Sequence, residues 1–100
     1  MRLNATQTQT ILHCVRQQFG ADARVMLYGS RLDDSARGGD VDLLVESETP
    51  PTLRQRALAT MAIERALNLP VDIVTMQRGT AGSAFARIAR GRAQPLENPA

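Results

Sequence analysis

Two aspartates separated by one residue, Asp40 and Asp42, open the most strand-like segment of the chain. Because side chains alternate across a strand, both carboxylates lie on one face, opposite Val41 and Leu43. Paired carboxylates repel each other and resist desolvation, and a divalent cation relieves that conflict. Hard oxygen ligands suit Mg²⁺, which usually takes one or two protein carboxylates together with substrate phosphates.

A third aspartate, Asp72, stands alone between Val71 and Ile73 in a later apolar segment. If the two strands are neighbours, the three carboxylates converge. Three acids on two strands are enough for a two-metal site of the kind that drives in-line phosphoryl or nucleotidyl transfer. In such a site Asp72 is the member that binds one metal only and takes the proton from the attacking hydroxyl.

A glycine–serine pair after an earlier apolar run supplies the complementary half of this site. Gly29 permits a sharp turn and a close backbone approach. The backbone amides of Ser30 and Arg31, with the Ser30 hydroxyl, can hold phosphate oxygens, and Arg31 can add positive charge. Arg37 is a weaker candidate because loop arginines are usually solvated.

Each of these features has a simpler explanation when taken alone. A D-x-D after Gly38 and Gly39 is typical of a hairpin turn, a Gly-Ser pair is common, and Asp72 can cap a neighbouring helix end. The combination, with this order and strand phase, favours a nucleotide and metal site.

The elements that must position these residues follow from periodicity and turn signals. The order is α-β-loop-β-α-β-α, with helices predicted over 6–20, 52–67 and 81–91 and strands over 24–29, 40–46 and 71–76. A helical crossover between the second and third strands predicts a parallel pair, and the short connection between the first two predicts an antiparallel pair. The polar loop over 30–39 can contain a further helical turn. We therefore expect an α/β fold of the α+β type, a small three-stranded mixed sheet flanked by about four helices. One domain is expected over 1–97, with a loose tail at 98–100.

Composition restricts the function further. Aromatic residues make up 3% of the 100 residues, which disfavours a base-stacking surface. All twelve basic residues are arginine, spread among ten acids without a dedicated nucleic-acid motif. Three of them, near the C-terminus, form either a solvated face or a docking surface for an acidic partner: Arg87, Arg90 and Arg92. With one histidine, His13, and one cysteine, Cys14, a metal site must be built from carboxylates.

Cys14 lies in a helical pattern with Ile11 and Val15, which predicts a buried, unreactive thiol. No apolar stretch has the length of a membrane span, and the N-terminus does not resemble a signal peptide. The expected location is the cytoplasm.

With these motifs together, the chain resembles the minimal nucleotidyltransferases of the DNA polymerase beta superfamily. The resemblance rests on Gly29 and Ser30 after a strand, Asp40 and Asp42 after a spacer, and Asp72 on a later strand. It implies a small nucleotidyltransferase fold, an ATP-type nucleotide, and Mg²⁺ held by the D-x-D pair with the later aspartate as third catalytic carboxylate. Many such chains are encoded beside a small helical HEPN protein. In some pairs the nucleotidyltransferase is an antitoxin that transfers AMP to a tyrosine of the HEPN toxin.

The leading hypothesis is therefore Mg²⁺-dependent transfer of a nucleotidyl group, AMP from ATP, to a hydroxyl of a partner protein. The small domain also suggests that a partner, or a second copy of the chain, completes the cleft. One alternative is a binding module that neutralises its partner by complex formation alone. Another is nucleotidyl transfer to a small molecule. A nucleic-acid-binding role is the weakest hypothesis, given the dispersed arginines.

Overall fold

The computed structural model describes residues 3–28, 41–79 and 94–96. Within these ranges the chain forms two helices and four strands. The helices are α1 (Ala5–Phe19) and α2 (Leu53–Leu67), and the strands are β1 (Arg24–Tyr28), β2 (Val41–Ser47), β3 (Val71–Gln77) and β4 (Gln94–Pro95). The predicted last helix over 81–91, the three arginines near the C-terminus and the predicted loop over 30–39 lie outside the described residues, as does the tail at 98–100.

Both helices begin with a capping box, which satisfies backbone N–H groups that have no partner inside the helix. The Asn4 side chain accepts from the backbone N–H of Gln7 at 2.8 Å, and the Gln7 side chain accepts from that of Asn4 at 2.9 Å. Thr52 and Gln55 repeat the arrangement at the start of α2. Asn4 and Thr52 are therefore the N-caps of α1 and α2.

The helix ends also follow local sequence signals. Gly20 follows α1 with φ of 101°, a conformation that glycine adopts without a Cβ penalty. Asn68 follows α2 in the left-handed region, where asparagine is the commonest residue after glycine. The residue type that follows each helix therefore favours the end of the helix at that position.

The strands form one mixed sheet in the order β3-β2-β1-β4. β1 and β2 are antiparallel, and β2 and β3 are parallel with α2 as the crossover. Both pairings agree with the prediction. β4 adds a short antiparallel partner to β1, with Pro95 opposite Met26 and the Leu96 N–H donating to the Val25 carbonyl at 2.8 Å. This fourth strand extends the predicted three-stranded sheet.

The main core lies between the two helices and one face of the sheet. The sheet contributes odd-numbered residues to it: Val25, Leu27, Val41, Leu43, Val45, Val71 and Ile73. α1 contributes the predicted stripe, with Ile11 and Val15 fully buried, and α2 contributes Ala59 and Ile63. A second, smaller cluster lies on the opposite face of the sheet, where Leu44 and Met76 are buried and Met26 and Val74 pack against them.

α2 carries a second apolar stripe that is not part of the core. Leu53 is 73% exposed and Met61 is 60% exposed. The two residues are eight positions apart and so lie on one side of the helix, away from the stripe containing Ala59 and Ile63.

One arginine connects three strand ends at the end of the sheet where β2 and β3 finish. The backbone N–H of Arg78 donates to the Ser47 carbonyl at 2.8 Å, and its Nη2 donates to the Asp22 carbonyl at 2.7 Å. Its Nη1 also pairs with the Glu48 carboxylate. The start of β1 and the ends of β2 and β3 are therefore joined through a single side chain and its peptide group.

Candidate active site

The centre of the candidate site is a row of register partners across three strands. Tyr28 of β1 is opposite Asp42 of β2, and Asp42 is opposite Asp72 of β3. Neighbouring strands lie about 4.7–4.9 Å apart, so the Asp42 and Asp72 backbones are direct neighbours. Both side chains lie on the sheet face opposite the helices, because Val41 and Val71, one position earlier, enter the main core. Asp42 is half-buried and Asp72 is exposed.

The parallel register is what brings these two carboxylates together. The Val41 N–H donates to the Pro70 carbonyl at 2.9 Å, which fixes the first rung of the β2–β3 ladder. The Val71 N–H donates to Glu64 of α2 at 2.9 Å, so the crossover helix also holds the start of β3. A shift of one residue would move Asp72 to the core face, where an unpaired carboxylate is costly.

Apolar side chains follow the carboxylates along the same face. The next row joins Met26, Leu44 and Val74, and these pack with Met76. The carboxylates therefore border a buried apolar patch on one side, where the local dielectric constant is lower than in water. This patch has a signal in the sequence. Leu44 and Val74 are two residues after Asp42 and Asp72 in the same strands, and alternation therefore places them on the same face.

Glu46, on the same face, is only 1% exposed. It is the register partner of Arg24 on β1 and of Met76 on β3. The strand pattern alone gave no reason to expect this acid to be buried, because it stands at the predicted end of the strand.

The donor set fits a divalent cation that takes few protein ligands. Asp42 and Asp72 offer two hard oxygen donors at adjacent register positions, which matches the preference of Mg²⁺ for one or two carboxylates plus phosphate and water. Within residues 3–28, 41–79 and 94–96 there is no group of three or more potential metal ligands. Asp40, the remaining predicted ligand, lies outside these ranges.

The predicted phosphate-binding residues also lie outside the described residues: Gly29, Ser30 and Arg31, together with the weaker candidate Arg37. They stay predictions. Of the predicted acidic triad, the structure describes Asp42 and Asp72 and places them side by side.

Cys14, the single cysteine, is inside the main core and 8% exposed. Burial raises the pKa of the Cys14 thiol, because the thiolate would lose its hydration. The neutral form is therefore favoured, which agrees with the predicted unreactive thiol. His13, its neighbour, is exposed on the outer side of α1.

Comparison with known proteins agrees with this geometry. The sequence matches the family described as "nucleotidyltransferase domain" over residues 9–92, a range that contains the paired aspartates and every predicted site residue. The chain belongs to this nucleotidyltransferase domain family. Such domains generally use a nucleoside triphosphate and a divalent metal ion.

The fold is also similar to a solved structure. The MNT antitoxin in the structure "tri-AMPylated Shewanella oneidensis HEPN toxin in complex with MNT antitoxin" matches with a TM-score of 0.69 and 17% identity. The match covers 94% of this chain and 71% of that chain. At this identity it establishes the shared fold. No curated protein matches the sequence significantly. Among the described residues, neither helix has the length and apolar character needed to span a membrane.

Proposed function

We propose that this chain is a Mg²⁺-dependent nucleotidyltransferase that moves AMP from ATP to a hydroxyl of a partner protein. The observation that carries the proposal is the register pairing of Asp42 with Asp72 on adjacent strands of a nucleotidyltransferase domain. The structural neighbour is an antitoxin in complex with a tri-AMPylated HEPN toxin, which supports a protein acceptor and an antitoxin role in a toxin–antitoxin pair. A small helical HEPN-type protein is the proposed partner, and the cytoplasm, where ATP is available, is the proposed location.

In the proposed reaction, the acceptor hydroxyl oxygen bonds to the α-phosphorus of ATP. The bond from that phosphorus to the bridging oxygen breaks, and pyrophosphate leaves. Asp72 takes the hydroxyl proton, a role that suits an exposed carboxylate which an acceptor can reach. Asp42, with Asp40 as the predicted second ligand, would hold Mg²⁺, which supplies charge neutralisation on the phosphates when bound. Ser30 and the Arg31 guanidinium would hold the triphosphate.

The test is a labelling assay with the purified chain, Mg²⁺, ATP labelled on the α-phosphate, and the protein encoded by the neighbouring gene. We expect label on the partner with wild type, a loss of about 10²-fold or more with Asp42→Ala, and no label in EDTA. Absence of transfer by wild type, or equal transfer by Asp42→Ala, would sink the proposal. Partner neutralisation in cells that survives Asp42→Asn would instead favour the non-enzymatic binding module.

A further inference from the structure

A groove of about 320 Å³ runs between α2 and β3, beside the candidate active site. Its helix side is formed by Leu53, Arg56, Ala57, Thr60 and Met61, and its strand side by Val71, Asp72 and Ile73. The groove therefore contains the exposed apolar stripe of α2 and one of the two paired carboxylate residues.

The groove opens at the outer edge of the sheet. β3 pairs with β2 on one side, and no described strand pairs with its other side. Asp72 lines the groove, while its side chain belongs to the face opposite the helices. A peptide segment seated in the groove would thus cross the β3 edge at Asp72 and reach the carboxylate face directly.

The side chains that line the groove are of types that are common in protein–protein interfaces. Leu53 and Met61 are among the most exposed large apolar residues of the described chain, and clustered exposure of this kind is typical of interaction sites. Methionine adapts its shape to a partner at little cost. Arg56 forms no ion pair with a described residue, so its guanidinium can pair with an acidic partner side chain.

We propose that this groove docks the acceptor segment of the partner protein, a stretch with an apolar side chain next to its hydroxyl residue and an acidic residue within reach of Arg56. The proposal rests on the proposed function and specifies how that same site chooses its acceptor. The apolar side chain packs between Leu53 and Met61, which brings the neighbouring hydroxyl to Asp72. In this arrangement α2 determines which acceptor binds, and the carboxylates of the sheet take part in the transfer.

The test uses full-length Met61→Asp and Leu53→Asp, with Leu58→Asp as the matched control. Leu58 is also an exposed leucine of α2, 38% exposed, and is not a groove residue. Leu53→Asp places a carboxylate in the first helical turn, where the helix dipole favours it, so its fold is preserved. Thermal unfolding of each variant checks that all three fold like wild type.

We expect the KM for the partner protein, and its Kd measured by calorimetry without ATP, to rise roughly tenfold or more in the groove variants. The kcat at saturating partner and the Kd for Mg²⁺-ATP should stay within about twofold, because a docking contact contributes equally to ground and transition states. Leu58→Asp should behave as wild type.

Three outcomes decide between docking and its competitors. If both groove variants have the same KM and Kd for the partner as wild type, the groove does not dock the acceptor, although the proposed transfer still stands. Partner binding that weakens in the groove variants, with no transfer by wild type, would support docking and remove the proposed function. A wild-type dimer that Met61→Asp converts to a monomer, with partner affinity unchanged, would assign the groove to a second copy of the chain and overturn the proposal.

Discussion

Replacing Asp72 by asparagine should make the metal-free protein more stable. Asp72 and Asp42 are direct register partners on the same face, and like charges directly opposite each other destabilise a strand pair. At a separation of about 5 Å, Coulomb's law in a water-like dielectric gives a repulsion of ~0.8 kcal/mol. The high dielectric is appropriate because Asp72 is exposed. Asparagine removes this repulsion and keeps the size of the side chain.

For a domain of this size, a gain of ~0.8 kcal/mol corresponds to a rise in Tm of roughly 3–6 °C. The assay is thermal unfolding in EDTA at low ionic strength, repeated at about 1 M salt, where screening should remove most of the shift. Asp22→Asn is the matched control, because Asp22 is an exposed acid whose carbonyl contacts the cationic Arg78, and its Tm should not rise. An unchanged or lower Tm for Asp72→Asn, or a shift that persists at high salt, would refute the electrostatic reasoning.

Two further predictions concern the core. Ile63→Ala should lower the free energy of unfolding by about 2–5 kcal/mol in urea titrations, because Ile63 is fully buried, whereas Met61→Ala, at 60% exposure, should change it by no more than about 0.5 kcal/mol. Similar urea midpoints for both variants would contradict the assignment of core and surface on α2. Cys14 should resist a thiol reagent at pH 8 in the native protein and react after denaturation, since its thiol is buried and its pKa is raised. Rapid labelling of the native chain would show that this part of the core is open.

Much of the fold could be predicted because local signals and tertiary structure agree. The helices begin at the capping residues Asn4 and Thr52, and α1 ends at Gly20. These residue types favour those helix ends. The register of β2 and β3 is set by hydrophobic alternation, and the phase of Val41 and Val71 carries Asp42 and Asp72 to the same face. Asp42 and Asp72 therefore lie side by side because the residues that precede them, Val41 and Val71, are apolar and enter the core.

Other features had no local signal. β4 consists of Gln94 and Pro95, too short and too polar for a strand pattern, and it forms only because Leu96 and the edge of β1 are close in the folded chain. The two stripes of α2 are both apolar in sequence, and only packing decides that Ile63 is buried while Met61 is exposed. Periodicity predicts that a helix has an apolar side, but not which of two such sides faces the sheet.

The Arg78 junction has a consequence for how this domain can change over evolutionary time. It ties β1, β2 and β3 together at the end of the sheet remote from Asp42 and Asp72. Strand order and register therefore have an anchor that does not involve the β1–β2 connection, the stretch of sequence that contains Ser30. We therefore expect changes of length or residue type in that connection to leave the sheet intact. The sheet is in this way held together independently of the segment that carries the predicted phosphate-binding residues.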